Sequence, residues 1–368
     1  NGLFLTYLSI IVERLINMVK IFMMRIKYVL LAFGVLFLLF RLSIFIFRLP
    51  SYNIQTSGKL YIVSKVSEDI QVFNLFTGKE IAEIPIDILS HEATTTIDKN
   101  SAVLTNYGSS DGNIIKVINT KTNAVKKTID LKGNIRVNGI VAYPEPNKVA
   151  VIDYVSNNLL VLNIETDSIE KKIPTKQKKS HLLVLHPNKK IAYVTNIDSG
   201  SISVINLNLN EVIKIIPCGL GRKGIAITPD GSEIWVTNTK LNSITIINTS
   251  TYQIIDTLIT SDEPIKLKFS IDGKYCLVTN AIEGTISVYN QQSKKKIKTV
   301  ILHGITTIFE RILYHTPRPV NILMHPNGLY AFVANSNANK IEVIDMKTFT
   351  IVSTIGTGKV PDALVFLE

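Results

Sequence analysis

The feature that most constrains the fold of this chain is a short segment that recurs along it. Each clear copy has apolar and β-branched residues, an asparagine, a polar turn and a second alternating run. The four copies are YVTNIDSGSISVIN from Tyr193, WVTNTKLNSITIIN from Trp235, LVTNAIEGTISVYN from Leu277 and FVANSNANKIEVID from Phe332. One such unit cannot bury its apolar face alone, so the units must stack on one another.

Three weaker copies precede these four and extend the repeat. The fourth residue of each copy serves as an anchor, and the seven anchors are Ser64, Asn106, Asp153, Asn196, Asn238, Asn280 and Asn335. Each copy contains four short β-branched strands separated by Asn, Asp and Gly turns. Four-stranded units of roughly 40 to 45 residues are typical of propeller blades. The sequence therefore predicts an all-β, seven-bladed β-propeller over residues 57–368.

The repeated segments resemble the YVTN family of β-propeller repeats, which occurs in many bacterial and archaeal surface proteins. The resemblance covers roughly residues 57–368 and is strongest in the four copies that begin at Tyr193, Trp235, Leu277 and Phe332. It implies a propeller and a role at the cell surface, but it implies no particular chemistry.

The two ends of the repeat region predict how the ring closes. The first copy begins at Ser57 and lacks an innermost strand of its own, whereas the last residues, Lys359–Leu367, match the innermost strands of other copies. We therefore expect this C-terminal segment to pair with the strand around Leu60 and to complete blade 1. Such closure leaves no open blade edge.

The first 50 residues predict a membrane anchor. Val29–Phe47 is predominantly apolar with one charge, Arg41, and would span about 28 Å as a helix, close to the thickness of a bilayer core. We expect an irregular or helical cytoplasmic segment over 1–27, a transmembrane helix over 28–48 and a linker over 49–56. Arg25 and Lys27 favour a cytoplasmic N-terminus and an extracytoplasmic propeller in the cell membrane. The alternative is a cleaved signal peptide and a secreted propeller.

The composition favours an anionic partner and gives no sign of a cofactor. The net charge is +11, largely from lysine, although a lysine-rich composition alone also produces such an excess. The two cysteines exclude a disulfide framework, and six scattered histidines predict no metal site. Because no catalytic motif is present, we expect no catalytic residues and no cofactor.

The candidate binding residues lie in the loops that join one blade to the next. Six of the seven loops are basic, and a ring of cations around one channel mouth would attract anions. The members are Lys132, Arg136, Lys176, Lys178, Lys179, Arg222, Lys223, Lys266, Arg318 and Lys359. This pattern predicts a membrane-anchored binding or scaffold module for an anionic polymer or a protein partner. Nucleic acid has weak support because aromatic residues are not interleaved with the basic ones.

Two further expectations remain open at this stage. Propellers similar to this one include sugar lactonases with a site at the channel mouth, and here Glu92, Arg222 and Arg318 would be available for that alternative. An insertion of about 13 residues lies within 301–316, where Ile301, Ile305, Ile308, Phe309 and Ile312 have helical spacing. An amphipathic helix there would cover the mouth, contact the membrane, bind a partner or pack on its own blade.

Overall fold

The computed structural model describes residues 2–48, 51–106, 112–221, 224–303 and 316–368. The chain divides into two compact units between Leu49 and Pro50. The first unit is a single helix, α1 (Gly2–Arg48), so the segment expected to be irregular or helical is helical. The second unit contains all the β-strands.

The helix α1 has a stretch that is long and apolar enough to cross a membrane. Glu13–Arg41 has a mean hydropathy of 2.0, and none of this stretch is buried against other parts of the chain. Its 29 residues correspond to about 44 Å of helix, longer than the roughly 30 Å hydrocarbon core. A membrane anchor and a signal sequence both have these properties.

The strands form seven antiparallel sheets of four strands each, which we number as blades 1–7. Blade 1 receives β1 (Lys59–Ser64), β2 (Asp69–Asn74) and β3 (Lys79–Pro85). Blade 2 consists of β4 (Ser90–Thr95), β5 (Ser101–Asn106), β6 (Ile114–Asn119) and β7 (Ala124–Asp130). Blade 3 consists of β8 (Val137–Ala142), β9 (Lys148–Asp153), β10 (Asn158–Asn163) and β11 (Ser168–Pro174). Blade 4 consists of β12 (Ser180–Leu185), β13 (Ile191–Asn196), β14 (Ser201–Asn206) and β15 (Glu211–Pro217).

The remaining blades follow the same order from the innermost strand outwards. Blade 5 consists of β16 (Ile225–Ile227), β17 (Glu233–Asn238), β18 (Ser243–Asn248) and β19 (Ile254–Ile259). Blade 6 consists of β20 (Pro264–Phe269), β21 (Tyr275–Asn280), β22 (Thr285–Asn290) and β23 (Lys296–Ile301). Blade 7 consists of β24 (Pro319–Met324), β25 (Tyr330–Asn335), β26 (Lys340–Asp345) and β27 (Thr350–Gly356). The last strand, β28 (Pro361–Leu367), is the innermost strand of blade 1.

The ring closes as the sequence predicts. Strand β28 pairs antiparallel with β1, and Phe366 stands opposite Leu60 in the register. The innermost strands of neighbouring blades contact one another around the whole ring, including β24 with β28 and β28 with β4. The prediction of seven blades with a C-terminal closing strand is therefore confirmed.

The apolar core lies between the blades, and this position explains the repeated segment. The second strand of each blade is covered by neighbouring blades on both faces, so it is a continuous apolar run rather than an alternating one. Trp235 illustrates the packing: it is fully buried and meets Phe269 and Tyr289 edge-on at 5.4 and 6.3 Å. Such aromatic contacts stabilise the interface between blades 5 and 6 beyond the burial of area alone.

The anchor asparagines are buried hydrogen-bonding groups within their blades. The Nδ2 group of Asn196 donates to Ser203 Oγ at 3.0 Å, and that of Asn280 donates to Ser287 Oγ at 2.9 Å. In blade 7 the corresponding acceptor is the carboxylate of Glu342, at 2.8 Å from Asn335 Nδ2. Buried polar groups require such partners, so the anchors are structural.

The segment before β1 is packed on the propeller rather than extending freely as a linker. The hydroxyl of Tyr52 donates to the carbonyl of Leu75 at 2.6 Å, and the Tyr52 ring meets Phe73 edge-on at 5.0 Å. At Ser51, the carbonyl accepts a 2.9 Å hydrogen bond from the amide of Thr354 on the outer strand β27. Residues 51–56 therefore reinforce the junction between blades 7 and 1.

Candidate functional site

The central channel has two cavities that are stacked along its axis. Each innermost strand begins at the face that carries the loops between blades, here called the linker face, and runs to the opposite face. A mouth cavity of about 480 Å³ lies at the beginnings of these strands. A channel cavity of about 650 Å³ lies further along them. Both volumes are within the range of small-molecule sites.

An ion pair crosses the channel between the two cavities. Lys266 Nζ of blade 6 contacts Glu92 Oε1 of blade 2, and these blades stand on opposite sides of the ring. Both residues line both cavities, and their side chains are only 20% and 11% exposed. Removing one partner of such a buried pair leaves the other charge without compensation, which is strongly unfavourable. Because both residues line both cavities, this cross-channel pair marks the boundary between the mouth cavity and the channel cavity.

Polar side chains surround the mouth cavity just above this pair. His91 Nδ1 lies 2.5 Å from Asp362 Oδ2, which joins blade 2 to blade 1. Asn138 is 4% exposed and lines the cavity, but its Oδ1 atom has no hydrogen-bond partner in the described part of the chain. A buried acceptor without a partner is costly, so Asn138 is suited to receive a hydrogen bond from a ligand.

One ring of side chains defines the channel cavity. Each member stands opposite the first residue of a repeated segment, and six of the seven are uncharged. The uncharged members are Val365, Thr94, Val141, Val184, Ala226 and Leu323. The seventh member is Lys268.

Lys268 is a cation without a partner in this ring. Its side chain is exposed to the channel water, and within the described residues it forms neither an ion pair nor a hydrogen bond. The surrounding channel walls desolvate the ammonium group in part, and this desolvation lowers its pKa. The neighbouring Lys266 cation lowers the pKa further, whereas the carboxylate of Glu92 acts in the opposite direction.

The structure distributes the predicted cations unequally around the mouth. Lys179, Lys266 and Arg318 line the mouth cavity, but Lys266 is neutralised by Glu92, and Arg318 Nη1 lies 3.3 Å from Glu263 Oε2. Lys179 Nζ is 3.7 Å from Asp198 on the exposed rim. The cavity lining also includes Lys65, which lies in a turn at the same face.

The other predicted cations that the structure describes lie outside the cavity lining. Lys176, Lys178 and Lys359 are exposed, and Arg136 is half-buried. Lys132 is exposed and pairs with Asp130 at 2.6 Å. Arg222 and Lys223 lie outside the described residues.

The insertion, which lies between blades 6 and 7, is described only at its two ends. Ile301, which we expected to begin an amphipathic helix, is the last residue of β23. Its backbone therefore belongs to the sheet. The rest of the predicted helix, residues 304–315, lies outside the described residues.

Metal-binding groups are not clustered in the described ranges. No set of three His, Cys, Asp or Glu side chains among them is arranged to hold a metal ion. His186 and His325 occupy the same position of their blades, and each accepts a 3.1 Å hydrogen bond at Nδ1 from an amide two residues later, as a turn-capping side chain does. Cys218 and Cys276 are buried, and neither forms a disulfide bond in the described chain.

Sequence reasoning missed the cross-channel pair and Lys268, although the repeat contains a signal for both. Glu92 and Lys266 occupy the same position of their innermost strands, two residues after the start of each strand. Lys268 is the only charged residue among the seven innermost-strand residues of its ring. A comparison of the charge at each equivalent position of the seven innermost strands would have shown that Glu92 and Lys266 can pair across the channel. The same comparison would have identified Lys268.

Comparisons with known proteins support the fold and identify no family. No family model matches the chain, and no curated protein matches it. Among solved structures, hydrazine synthase from Kuenenia stuttgartiensis superimposes with a TM-score of 0.65 at 16% identity, covering 75% of this chain and 89% of that one. A functionally unknown protein from Desulfotomaculum acetoxidans DSM 771 superimposes with a TM-score of 0.70 at 16% identity, covering 85% of this chain and 99% of that one. Identities this low support the propeller fold alone.

Proposed function

We propose that this chain is a membrane-anchored binding module whose linker face binds an anionic polymer outside the cytoplasmic membrane. A propeller is suited to binding because its rigid ring presents loops from several blades around one mouth. The YVTN-like repeats and the apolar stretch of α1 support a location at the cell surface.

The observation that carries the proposal is the balance of charge around the mouth cavity. Among the described residues, the cations Lys65, Lys179, Lys266 and Arg318 line it, and three of them lie beside a carboxylate: Lys266 beside Glu92, Arg318 beside Glu263 and Lys179 beside Asp198. The excess of positive charge therefore comes from the exposed lysines of the surrounding loops. Lys178 and Lys359 add exposed cations on the same face. An excess of one sign around a concave mouth raises the local concentration of ions of the opposite sign.

Binding to immobilised heparin tests the proposal, with the full chain in nanodiscs of zwitterionic lipid. We expect binding that weakens as salt is added, because a polyanion releases counterions when lysines neutralise it. The triple substitution Lys178→Gln, Lys179→Gln and Lys359→Gln should weaken binding about tenfold or more. These side chains are exposed, so their replacement leaves no buried charge unpaired.

A second triple variant with the same change in net charge is the matched control. Lys121→Gln, Lys274→Gln and Lys347→Gln remove three exposed cations from turns on the opposite face. This variant should bind heparin within about threefold of the parent chain. Equal losses of heparin affinity in the two triple variants would show that heparin is attracted by net charge alone and would contradict a site on the linker face. Absence of heparin binding by the parent chain at low salt would contradict polymer binding and favour a protein partner.

A propeller enzyme of sugar-lactonase type is the alternative. The 2.5 Å contact between His91 and Asp362 supports it, because a carboxylate that orients a histidine is the arrangement of many general bases. Of the residues expected for that activity, Glu92 and Arg318 are both held in ion pairs. Turnover of a lactone by the purified chain would favour the enzyme over the binding module.

A further inference from the structure

The channel cavity differs chemically from the mouth, and its walls indicate a different ligand. The ring around Lys268 contains five aliphatic residues and one threonine, so a polar polymer gains little from entering it. Above the ring, the cross-channel pair of Lys266 and Glu92 separates it from the linker face. Towards the opposite face, the cavity is bordered by Pro229, Ile271, Pro326 and Lys99, and Lys99 pairs with Glu368 at 3.2 Å. A ligand can therefore reach it from the opposite face without breaking the ion pair.

The charge of Lys268 has no counterpart in the described walls. Glu92 is the only carboxylate that lines the channel cavity among the described residues, and it is already paired with Lys266. A cation that is partly withdrawn from water and has no counter-charge favours the binding of an anion beside it. The lowered pKa of Lys268 is consistent with this imbalance.

We propose that the channel cavity binds a small monocarboxylic acid with an apolar body, whose carboxylate pairs with Lys268 while its hydrocarbon contacts Val141, Val184, Leu323 and Val365. One cation matches one carboxylate, and the aliphatic walls favour burial of hydrocarbon from water. The volume of about 650 Å³ accommodates a ligand of this class. This inference does not rest on polymer binding at the linker face.

Equilibrium dialysis of radiolabelled hexanoate against the full chain in nanodiscs tests this site, with empty nanodiscs as the background. We expect saturable binding by the parent chain. Hexanol and hexylamine should compete at least tenfold less well, because the first lacks the charge and the second repels Lys268. No saturable binding at millimolar hexanoate would overturn the proposal.

Substitutions at Lys268 separate the role of its charge from its role in packing. Lys268→Met keeps the length and volume but should weaken hexanoate binding at least tenfold, and Lys268→Arg should retain affinity within about threefold. Lys274→Met, at an exposed turn of the same blade, should bind like the parent chain. Equal hexanoate binding by Lys268→Met and the parent would overturn the assignment, provided that both unfold at similar temperatures.

The two proposals can fail independently of each other. Lys268→Met should bind heparin like the parent chain, because Lys268 lies beyond the cross-channel pair. The triple variant of Lys178, Lys179 and Lys359 should bind hexanoate like the parent chain. Loss of both ligands in either variant would show that one site serves both and would contradict a separate channel site.

Discussion

At the scale of single residues, Glu342 is the clearest departure from the repeat. Blades 4 and 6 have serine at this position, whereas Glu342 is a carboxyl with 1% exposure. Burial raises its pKa to about 6, against the opposing effects of the His303 amide, the Lys340 cation and the Asn335 amide. The folded protein therefore holds a proton on Glu342 at a pH where the unfolded chain has lost it.

This raised pKa predicts a change of stability with pH. The contribution of Glu342 is fully present below its unfolded pKa of 4.5 and is lost as the pH rises through about 6. A shift of this size corresponds to about 2 kcal/mol. Urea denaturation of residues 51–368 gives the free energy of unfolding of Glu342→Gln and of the parent at pH 4.5 and at pH 7.5. The difference between variant and parent should change by up to about 2 kcal/mol in favour of the variant from the lower pH to the higher.

The hydrogen bonds around Glu342 allow this substitution. Asn335 Oδ1 has no partner in the described chain, so the Asn335 amide can turn over and accept a hydrogen bond from the new glutamine. Glu211→Gln, at an exposed site on β15, is the control and should show no such pH-dependent gain. A difference between Glu342→Gln and the parent that stays constant with pH would contradict this account.

At the scale of elements, the closing strand β28 supplies the inner edge of blade 1. Leu364, Val365 and Leu367 are buried against neighbouring blades, and the β28 backbone completes the ladder with β1. Without β28, the edge of β1 and the apolar faces beside it would be exposed to water. An exposed, apolar strand edge favours association between chains.

Deletion of residues 361–368 should therefore lower the melting temperature by more than about 10 °C and cause aggregation, since several buried side chains are lost together. Circular dichroism and size-exclusion chromatography measure the two effects. A synthetic peptide of residues 358–368 should restore part of the stability by adding back the strand. Deletion of Glu368 alone, which removes only its exposed ion pair with Lys99, should shift the melting temperature by a few degrees at most.

The element scale also shows how far the sequence could predict the structure. Blade number and closure follow from the anchors and from the match of Lys359–Leu367 to other innermost strands, because each repeat specifies the same local fold. The pairing of Lys266 with Glu92 depends on two blades that face each other across the ring. The local sequence of either blade does not predict the distance between these two side chains. The loop sequences likewise do not show which cations a carboxylate neutralises, because Lys266 and Arg318 find their carboxylates on other blades or loops.

At the scale of the whole molecule, the distribution of charge around the apolar stretch of α1 predicts its orientation. Arg14, Lys20, Arg25 and Lys27 lie in its N-terminal half, whereas Arg41 is its last residue and Arg48 follows it. Segments richer in lysine and arginine remain in the cytoplasm. The propeller should then lie outside the cytoplasmic membrane.

Labelling of single introduced cysteines tests this orientation in intact spheroplasts, after the two buried native cysteines are replaced by alanine or serine. Lys347→Cys, on an exposed turn of blade 7, should react with a membrane-impermeant maleimide without lysis. Glu13→Cys, near the N-terminal end of the apolar stretch, should react only after lysis. The reverse pattern, or release of the labelled propeller into the medium, would contradict a retained anchor with this orientation.

The pairing of β28 with β1 also has a consequence for biosynthesis. The ribosome makes β1 first and must add six further blades before it reaches β28, so blade 1 stays incomplete until β28 has been made. At roughly 5–20 residues per second, this delay lasts tens of seconds. A prematurely terminated chain would display the unpaired edge of β1 to chaperones and proteases. Completion of blade 1 thus separates chains that have reached β28 from those that have not.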